Sequence, residues 1–252
     1  MMKRNYQILR ELTINEFRLQ YRKTLFGYVW SVLAPLMMLA TLCIAFSIIM
    51  RMNVPHYQLF VILGMILWNF FSESTSQNLA IIRNKASLIG KINFPKELII
   101  ISSVLAALVN FMITFCLFFV AMAVFKVDFS PLIIVSFFYI IPLVLLSLGF
   151  SFALSAYNIF HRDLEHLWRI IIYVGFWLTP IIYPQSHVAK PFRSFYALNP
   201  MARIINEMRD LLIYHTLPPW LEILQTFGLT TLICAIGYLI FAKRTSKFVE
   251  ML

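Results

Sequence analysis

Four residues that could together ligate a metal ion or act as acids and bases lie within one stretch of six positions in this sequence. They are His161, Asp163, Glu165 and His166. Imidazole and carboxylate groups at such close spacing could form a metal site. The stretch is also short and charged, which is typical of a solvated loop. We prefer the loop interpretation and predict neither a metal site nor catalytic residues here.

Motifs for nucleotide binding and for metal-dependent hydrolysis are missing from the sequence. A phosphate-binding loop requires GxxxxGK followed by Ser or Thr, whereas Gly90-Lys91 lacks both the earlier glycine and the hydroxyl residue. No HExxH motif occurs either. We therefore predict that the chain is not an enzyme and carries no cofactor of its own.

Glu73 is the only carboxylate that the sequence places at membrane depth. It lies in the polar run 72–78 of an otherwise apolar segment, and a charge there costs about 2.5–3.5 kcal/mol at the bilayer centre. Either Glu73 lines an aqueous path, or it lies near the membrane interface and pairs with Arg83. The other apolar segments have no charged residue, so we expect the energy for any transport to come from another subunit.

The composition that surrounds these few polar groups is that of a membrane protein. Of 252 residues, 61% are hydrophobic and 13% are charged, whereas a soluble domain has about 25% charged residues. The net charge of +10 is spread along the loops, which indicates contact with anionic lipid headgroups rather than with nucleic acid. Cys43, Cys116 and Cys234 fall inside apolar runs and suggest neither a disulfide nor a metal site.

Six apolar segments predict an all-α membrane protein that forms a single domain over residues 1–252. The first, residues 28–50, has no charged residue and is about 34 Å long as a helix, enough to cross a hydrocarbon core of about 30 Å. Pro142 and Gly149 are possible kink sites in the fourth. The predicted spans are residues 28–50, 56–78, 98–125, 129–157, 170–183 and 223–242.

Two charged segments are predicted to form helices outside the membrane core. Residues 1–27 place apolar side chains at helical spacing among basic ones, which favours an interface helix on the membrane surface over a solvated basic tail. No apolar signal-peptide region occurs there. In residues 83–96, four basic residues exclude a span, and Leu88 and Ile92 share one face of a short helix.

The segment 184–222, between the fifth and sixth spans, contains a strong amphipathic pattern. Asn199 followed by Pro200 predicts a helix N-cap with proline at the first helical position. The apolar residues that follow recur at i, i+3, i+4 and i+7, and they are Met201, Ile204, Ile205, Met208, Leu211 and Leu212. A shorter helix is expected between Val188 and Tyr196.

Aromatic residues follow a helical repeat along the fifth span. The stripe consists of Tyr173, Phe176, Trp177, Pro180 and Tyr183. It either lines a pore, where rings could stack on the C–H faces of sugars, or faces lipid and neighbouring helices. Both interpretations remain open on the sequence alone.

The distribution of basic residues predicts the orientation. Fifteen Lys and Arg residues lie in the N-terminal segment, after spans two and four, and in the C-terminal tail, against six on the opposite side. By the positive-inside rule, both termini lie in the cytoplasm.

Several motifs resemble one family, the permease subunits of ABC-type exporters that move O-antigen, capsule or teichoic-acid chains across the bacterial inner membrane. The opening motif consists of Tyr21-Arg22, Tyr28-Val29-Trp30-Ser31 and Pro35-Leu36. Further landmarks are residues 93–97, residues 157–163 and Leu198-Asn199-Pro200. Arg22-Lys23-Thr24 and Ala34 stand where the family usually has Arg-Gly-Ser and Asn, and the motifs specify no particular polysaccharide or lipid carrier.

The resemblance implies a homodimer with two partner ATPase subunits that bind ATP and Mg, and a lipid-linked polysaccharide as the substrate. Coupling to the ATPase would involve Arg83, Lys85, Leu88, Ile92, Phe94, Arg162 and Asp163. The interface helix would contribute Tyr21, Arg22, Tyr28 and Trp30. The substrate path would contain Tyr173, Phe176, Trp177, Tyr183 and Glu73. An extracytoplasmic gate would contain Asn199, Pro200, Ile204 and Met208.

Two other function classes remain compatible with the sequence. One is an ABC exporter permease of the same architecture for a drug or a small lipid, which would need a narrower path with fewer aromatic residues. The other is a membrane scaffold or a membrane enzyme without transport, which would have no ATPase partner.

Overall fold

A computed structural model describes residues 2–21, 55–91, 94–185, 188–189 and 198–245, with single positions between 29 and 44 and at 196. Every regular element in these ranges is a helix, which confirms the all-α fold class. Most of the predicted first span and residues 246–252 lie outside the described residues. The helices are α1 (Met2–Tyr21), α2 (Tyr57–Leu79), α3 (Ile81–Asn84), α4 (Ala86–Lys91), α5 (Glu97–Val124), α6 (Leu132–Phe138), α7 (Ile140–Asn158), α8 (Leu164–Leu178), α9 (Pro200–Leu212) and α10 (Trp220–Thr245).

Four helical segments of the described chain are long and apolar enough to cross a membrane. They are α2, α5, the α6–α7 pair and α10. The chain is therefore a multi-pass membrane protein. The most enclosed of them is α2, with 72% of its most apolar part buried against 17% for α10, so α2 forms the centre of the fold.

The polar run at the end of α2 is divided between two faces, because Ser74, Thr75 and Asn78 are buried whereas Glu73, Ser76 and Gln77 are exposed. The buried side chains bond to nearby carbonyls. The Thr75 hydroxyl donates to the Phe71 carbonyl at 2.7 Å, and the Asn78 amide donates to the Ser74 carbonyl at 2.7 Å. The Trp168 indole of α8 donates to the Thr75 oxygen at 3.2 Å. These bonds satisfy polar groups that would be costly to bury alone.

The predicted fourth span is interrupted at Tyr139, between α6 and α7. Pro142 lies four residues after Phe138 and has no amide hydrogen to donate to its carbonyl, so the helix cannot continue regularly there. Pro142, one of the two positions suggested for a kink, thus accounts for the interruption. The other suggested site, Gly149, lies inside the continuous helix α7 and has a different function.

Helices α7 and α10 approach each other through a pair of glycines. A β-carbon added at Gly237 would overlap the carbonyl group of Gly149, and one added at Gly149 would lie 2.8 Å from the Ile233 carbonyl carbon. Small residues let membrane helices approach closely, because apolar side chains gain nothing by leaving lipid for another helix.

The fifth predicted span, residues 170–183, differs from the helix that forms. Helix α8 begins at Leu164, ends at Leu178 and is about 22 Å long, shorter than a hydrocarbon core of about 30 Å. Thr179 has an extended backbone with φ −90° and ψ 140°. The reason is Pro180, because the residue before a proline is disfavoured in the helical conformation.

We predict that Gly237→Ala destabilises the folded chain by about 1–3 kcal/mol, because the added methyl group displaces α10 from α7. Thermal unfolding of the purified protein in detergent would measure the effect. Gly228→Ala is the matched control on the same helix, since no atom lies within 4 Å of its added β-carbon. Equal stability of the two variants would contradict close α7–α10 packing.

Candidate functional site

Three polar side chains join the ends of α2, α3, α7 and α8, and we call them the Arg83–Asn158–Glu165 cluster. The Asn158 amide donates to the Leu79 carbonyl at 2.9 Å and to the Glu165 carboxylate at 3.0 Å. The Arg83 guanidinium forms an ion pair with the same carboxylate oxygen. Leu79 ends α2, so Asn158 satisfies a carbonyl at the end of that helix.

The charge of Glu165 is maintained by this cluster. Hydrogen bonds from Asn158 and then Arg83 hold the pKa of the Glu165 carboxyl below its usual range. A charged Glu165 in turn keeps the predicted coupling segment 83–96 attached to the segment that contains Arg162 and Asp163. Both of these residues are exposed.

The N-terminal helix α1 packs on the other side of the predicted coupling segment. Lys85 forms an ion pair with Glu16 of α1, and burial lowers the pKa of Lys85. Leu88 is half-buried and Phe94 is buried, and both border an apolar groove of about 260 Å³ beside α1. Ile92 lies outside the described residues.

Glu73 is exposed on α2 and accepts a hydrogen bond from the Gln77 amide at 2.9 Å. The partner that the sequence suggested for it, Arg83, is paired with Glu165 instead. Of the two interpretations for Glu73, pairing with Arg83 is therefore not realised in the folded chain.

The aromatic stripe of the fifth span is divided in the structure. Tyr173 and Trp177 are 68% and 52% exposed on α8, whereas Phe176 packs edge-on against Trp68 of α2 with ring centroids 6.2 Å apart. Pro180 is buried beyond the end of the helix. The Tyr183 hydroxyl donates to the Trp177 carbonyl at 2.8 Å, so its ring does not continue the helical stripe.

The predicted cap of the amphipathic helix is confirmed. The Asn199 side-chain oxygen accepts from the amides of Met201 at 3.0 Å and Ala202 at 3.3 Å, with Pro200 at the first helical position. Ile204 and Met208 are fully buried. Of the proposed interface residues, Arg22, Tyr28 and Trp30 lie outside the described residues, as does the side chain of Tyr21.

Sequence reasoning missed the structural importance of Arg209, which is fully buried on α9. Its guanidinium donates to the carbonyls of Phe60 at 3.0 Å, Pro180 at 2.6 Å and Ile181 at 2.7 Å. It also lies 3.3 Å above the Phe60 ring. A β-carbon at Gly64 would lie 2.7 Å from its Nη2, so this glycine leaves room for it. The sequence did contain a signal for this burial. Arg209 lies four residues after Ile205, so it shares the apolar face of α9.

Glu207 is a second buried charged group on α9, only 3% exposed. Thr226 of α10 donates to its carboxylate at 2.6 Å, and the Arg203 guanidinium lies 4.0 Å away. Burial raises the pKa of Glu207 to about 7, although Thr226, Tyr139 and Arg203 act to lower it.

Comparison with known proteins decides the family. Residues 7–213 match the family described as ABC-2 type transporter. The chain belongs to the ABC-2 type transporter family. This confirms the membrane-subunit assignment that the motifs suggested, and the matched region extends from α1 to the end of α9.

Individual relatives of this ABC-2 chain align over almost the whole length. One from Klebsiella pneumoniae is 30% identical over 253 residues, covering 98% of this chain and 95% of the relative. One from Myxococcus xanthus is 27% identical over 249 residues, covering 96% and 94%. Both are described as "O-antigen export system permease protein RfbA".

The raised pKa of Glu207 predicts that the chain is more stable at acidic pH. Because the folded state binds this proton more tightly than the unfolded state, the stabilisation is complete below the ordinary carboxyl pKa and is lost as the pH rises through about 7. The melting temperature should therefore fall between about pH 5 and pH 8.

The variant Glu207→Gln keeps the shape of the side chain and removes the titration. It should melt near the wild-type temperature at low pH and depend less on pH, with a residual slope from Asp210, whose pKa is also raised, to about 6. An unchanged slope in the variant would contradict the assignment to Glu207.

Proposed function

We propose that this chain is the membrane-spanning subunit of an ATP-driven exporter that moves a lipid-linked polysaccharide, with O-antigen of lipopolysaccharide as the best match, across the bacterial inner membrane. The observation that carries the proposal is the near full-length similarity to ABC-2 relatives described as O-antigen export permeases. The export activity stated in those names is thereby extended to this chain.

A homodimer is the second part of the proposal, with the channel between two copies. Its support is the surface of α8, a helix too short to span the bilayer alone. Most apolar side chains of this helix are exposed in the single chain, namely Leu167, Ile170, Ile171, Tyr173, Val174, Trp177 and Leu178. In the proposed dimer, part of this surface contacts the second copy and part lines the channel.

Partner ATPase subunits supply the energy in this proposal. Arg162 and Asp163 offer an exposed charged contact, and the Arg83–Asn158–Glu165 cluster connects that contact to the end of α2. Leu88 faces α1, so the ATPase contacts the combined surface of α1 and α4 rather than Leu88 alone.

Both termini and this surface lie in the cytoplasm, as the distribution of basic residues predicts. Helix α9 then lies at the extracytoplasmic end.

The function is tested by deleting the gene for this chain in its host and measuring polysaccharide at the cell surface. We expect the surface polysaccharide to disappear and to return when the chain is supplied together with its ATPase. The detergent-purified chain alone should not hydrolyse ATP, since its sequence has no phosphate-binding loop. Hydrolysis by the pure chain, or unchanged surface polysaccharide after deletion, would contradict the proposal.

Exposed rings on α8 are proposed to guide the sugar chain through many weak contacts. Tyr173→Ala and Trp177→Ala should each reduce the export rate about fivefold, the effect of roughly 1 kcal/mol of lost stacking. Phe138→Ala, an equally exposed aromatic position on α6, is the matched control and should leave export unchanged. Export is measured as labelled polysaccharide reaching the surface per unit time.

Accessibility distinguishes this path from a lipid-facing surface. Cysteines at positions 173 and 177 should react with a water-soluble thiol reagent when the assembled exporter is active. If only lipid-phase reagents reach them, the rings face the bilayer and do not contact the sugar chain.

A further inference from the structure

A polar cavity of about 510 Å³ lies beside α9. Its walls come from α9, from the first turns of α10 and from Pro184, Gln185 and Tyr196 between α8 and α9, with Phe60 of α2 at one side. Small-molecule sites usually have volumes of about 300–1,000 Å³. The cavity is thus large enough to hold a ligand, and its lining differs from the apolar surfaces of the spanning helices.

The arrangement of the lining is a direct consequence of helical spacing. Arg203, Glu207 and Asp210 follow one another at i, i+4 and i+7, so they share one face of α9. Glu222 and Gln225 face them from α10 at a spacing of three residues. With Arg209, Gln185 and Asn206, three carboxylates, two guanidinium groups and three amides thus line the same space.

Hydrogen bonds among the walls hold the cavity open in a defined shape. Arg203 donates to the Gln225 amide oxygen at 2.5 Å, which connects α9 to α10. Asn206 donates to the Gln185 oxygen at 2.9 Å, which connects α9 to the chain just after α8. A cavity with fixed walls loses little entropy when a ligand enters it.

Carboxylates outnumber guanidinium groups in this cavity. Thr226 bonds one oxygen of the buried Glu207, but the other oxygen makes no bond of ordinary geometry to any described residue. The Tyr139 hydroxyl lies beside this carboxylate and acts to lower its pKa. Burial and the nearby Glu222 also raise the pKa of Asp210. Groups of this kind are stabilised by a ligand that brings hydroxyl donors.

Other ligand classes fit this lining less well. No three His, Cys, Asp or Glu side chains are arranged to hold a metal ion in the part of the chain that the structure describes. A phosphate or other anion would be repelled by Glu207, Asp210 and Glu222. A neutral, hydroxyl-rich ring can donate to the carboxylates and accept from Arg203, which matches both charges of the cavity.

We propose that this cavity binds one sugar residue of the exported polysaccharide as the chain leaves the channel. The inference rests on the proposed function and adds a substrate site on the side where the polymer emerges. Each sugar that passes would exchange hydrogen bonds with Asp210, Glu222 and Arg203, and would be held weakly enough to be replaced by the next. Such a site would oppose backward sliding of the polymer between cycles of the ATPase.

The site is tested by photo-crosslinking in cells that export the polymer. The photoreactive residue p-benzoylphenylalanine replaces Gln225 at the rim of the cavity or, as a control, the exposed Leu232 farther along α10. After irradiation, the purified chain is examined for covalently attached carbohydrate. We expect an adduct from position 225 and none from position 232.

Conservative variants test whether the carbohydrate adduct depends on the carboxylates of the cavity. With the crosslinker at position 225, Asp210→Asn and Glu222→Gln should each lower the adduct yield per molecule of purified chain about tenfold, as loss of a hydrogen bond to a charged acceptor implies. Asp128→Asn changes an exposed carboxylate outside the cavity and should leave the yield unchanged. Normalising to purified chain separates loss of binding from loss of protein.

The outcomes separate this inference from the proposed function. If surface polysaccharide depends on the chain but position 225 gives no adduct, or gives as much as position 232, the cavity is not a sugar site and the export function stands. An adduct that both cavity variants leave unchanged would also overturn the inference. If surface polysaccharide does not depend on the chain, the proposed function itself fails.

Discussion

The buried guanidinium of Arg209 is the interaction on which the rest of this structure depends. Pro180 ends α8, and the carbonyls of Pro180 and Ile181 therefore have no helical partner in a setting where water is scarce. Arg209 supplies donors to both and to Phe60 in the first turn of α2. The Arg209 side chain thus bonds the carbonyls that are left unpaired where α8 ends, and it fixes α9 against the central helix. Glu207 and Asp210 of α9 face the polar cavity.

The opposite end of α2 is held by the polar side chains of the Arg83–Asn158–Glu165 cluster. Asn158 reaches from the end of α7 to the Leu79 carbonyl, and Glu165 connects it to Arg83. The central helix is thus the most enclosed of the spanning helices and is attached to its neighbours by charged or amide groups at both ends. A movement of the segment around Arg162 would act on α2 through this cluster, which is the connection that the proposed coupling to an ATPase requires.

Much of the architecture could be predicted from local signals. Runs without charged residues indicate membrane helices because burying a charge in lipid is costly, and those over residues 56–78, 98–125 and 223–242 lie close to the observed α2, α5 and α10. Asn199-Pro200 specifies a helix start because the cap bonds amides only two and three residues away. The motifs also indicated the family, since each consists of residues that are close together along the chain.

The pairings between distant residues were decided only by the tertiary structure. Arg83 lies ten residues from Glu73 in the sequence, yet it pairs with Glu165, which approaches only when α7 and α8 have packed. By spacing, Pro180 belonged to the aromatic stripe of the fifth predicted span, but in the structure it ends α8. Its carbonyl then accepts a hydrogen bond from Arg209. The sequence by itself determined the apolar lengths, the caps and the family, because these depend on neighbours along the chain. The partners of buried polar groups depend on which helices meet, and that is a property of the packed fold.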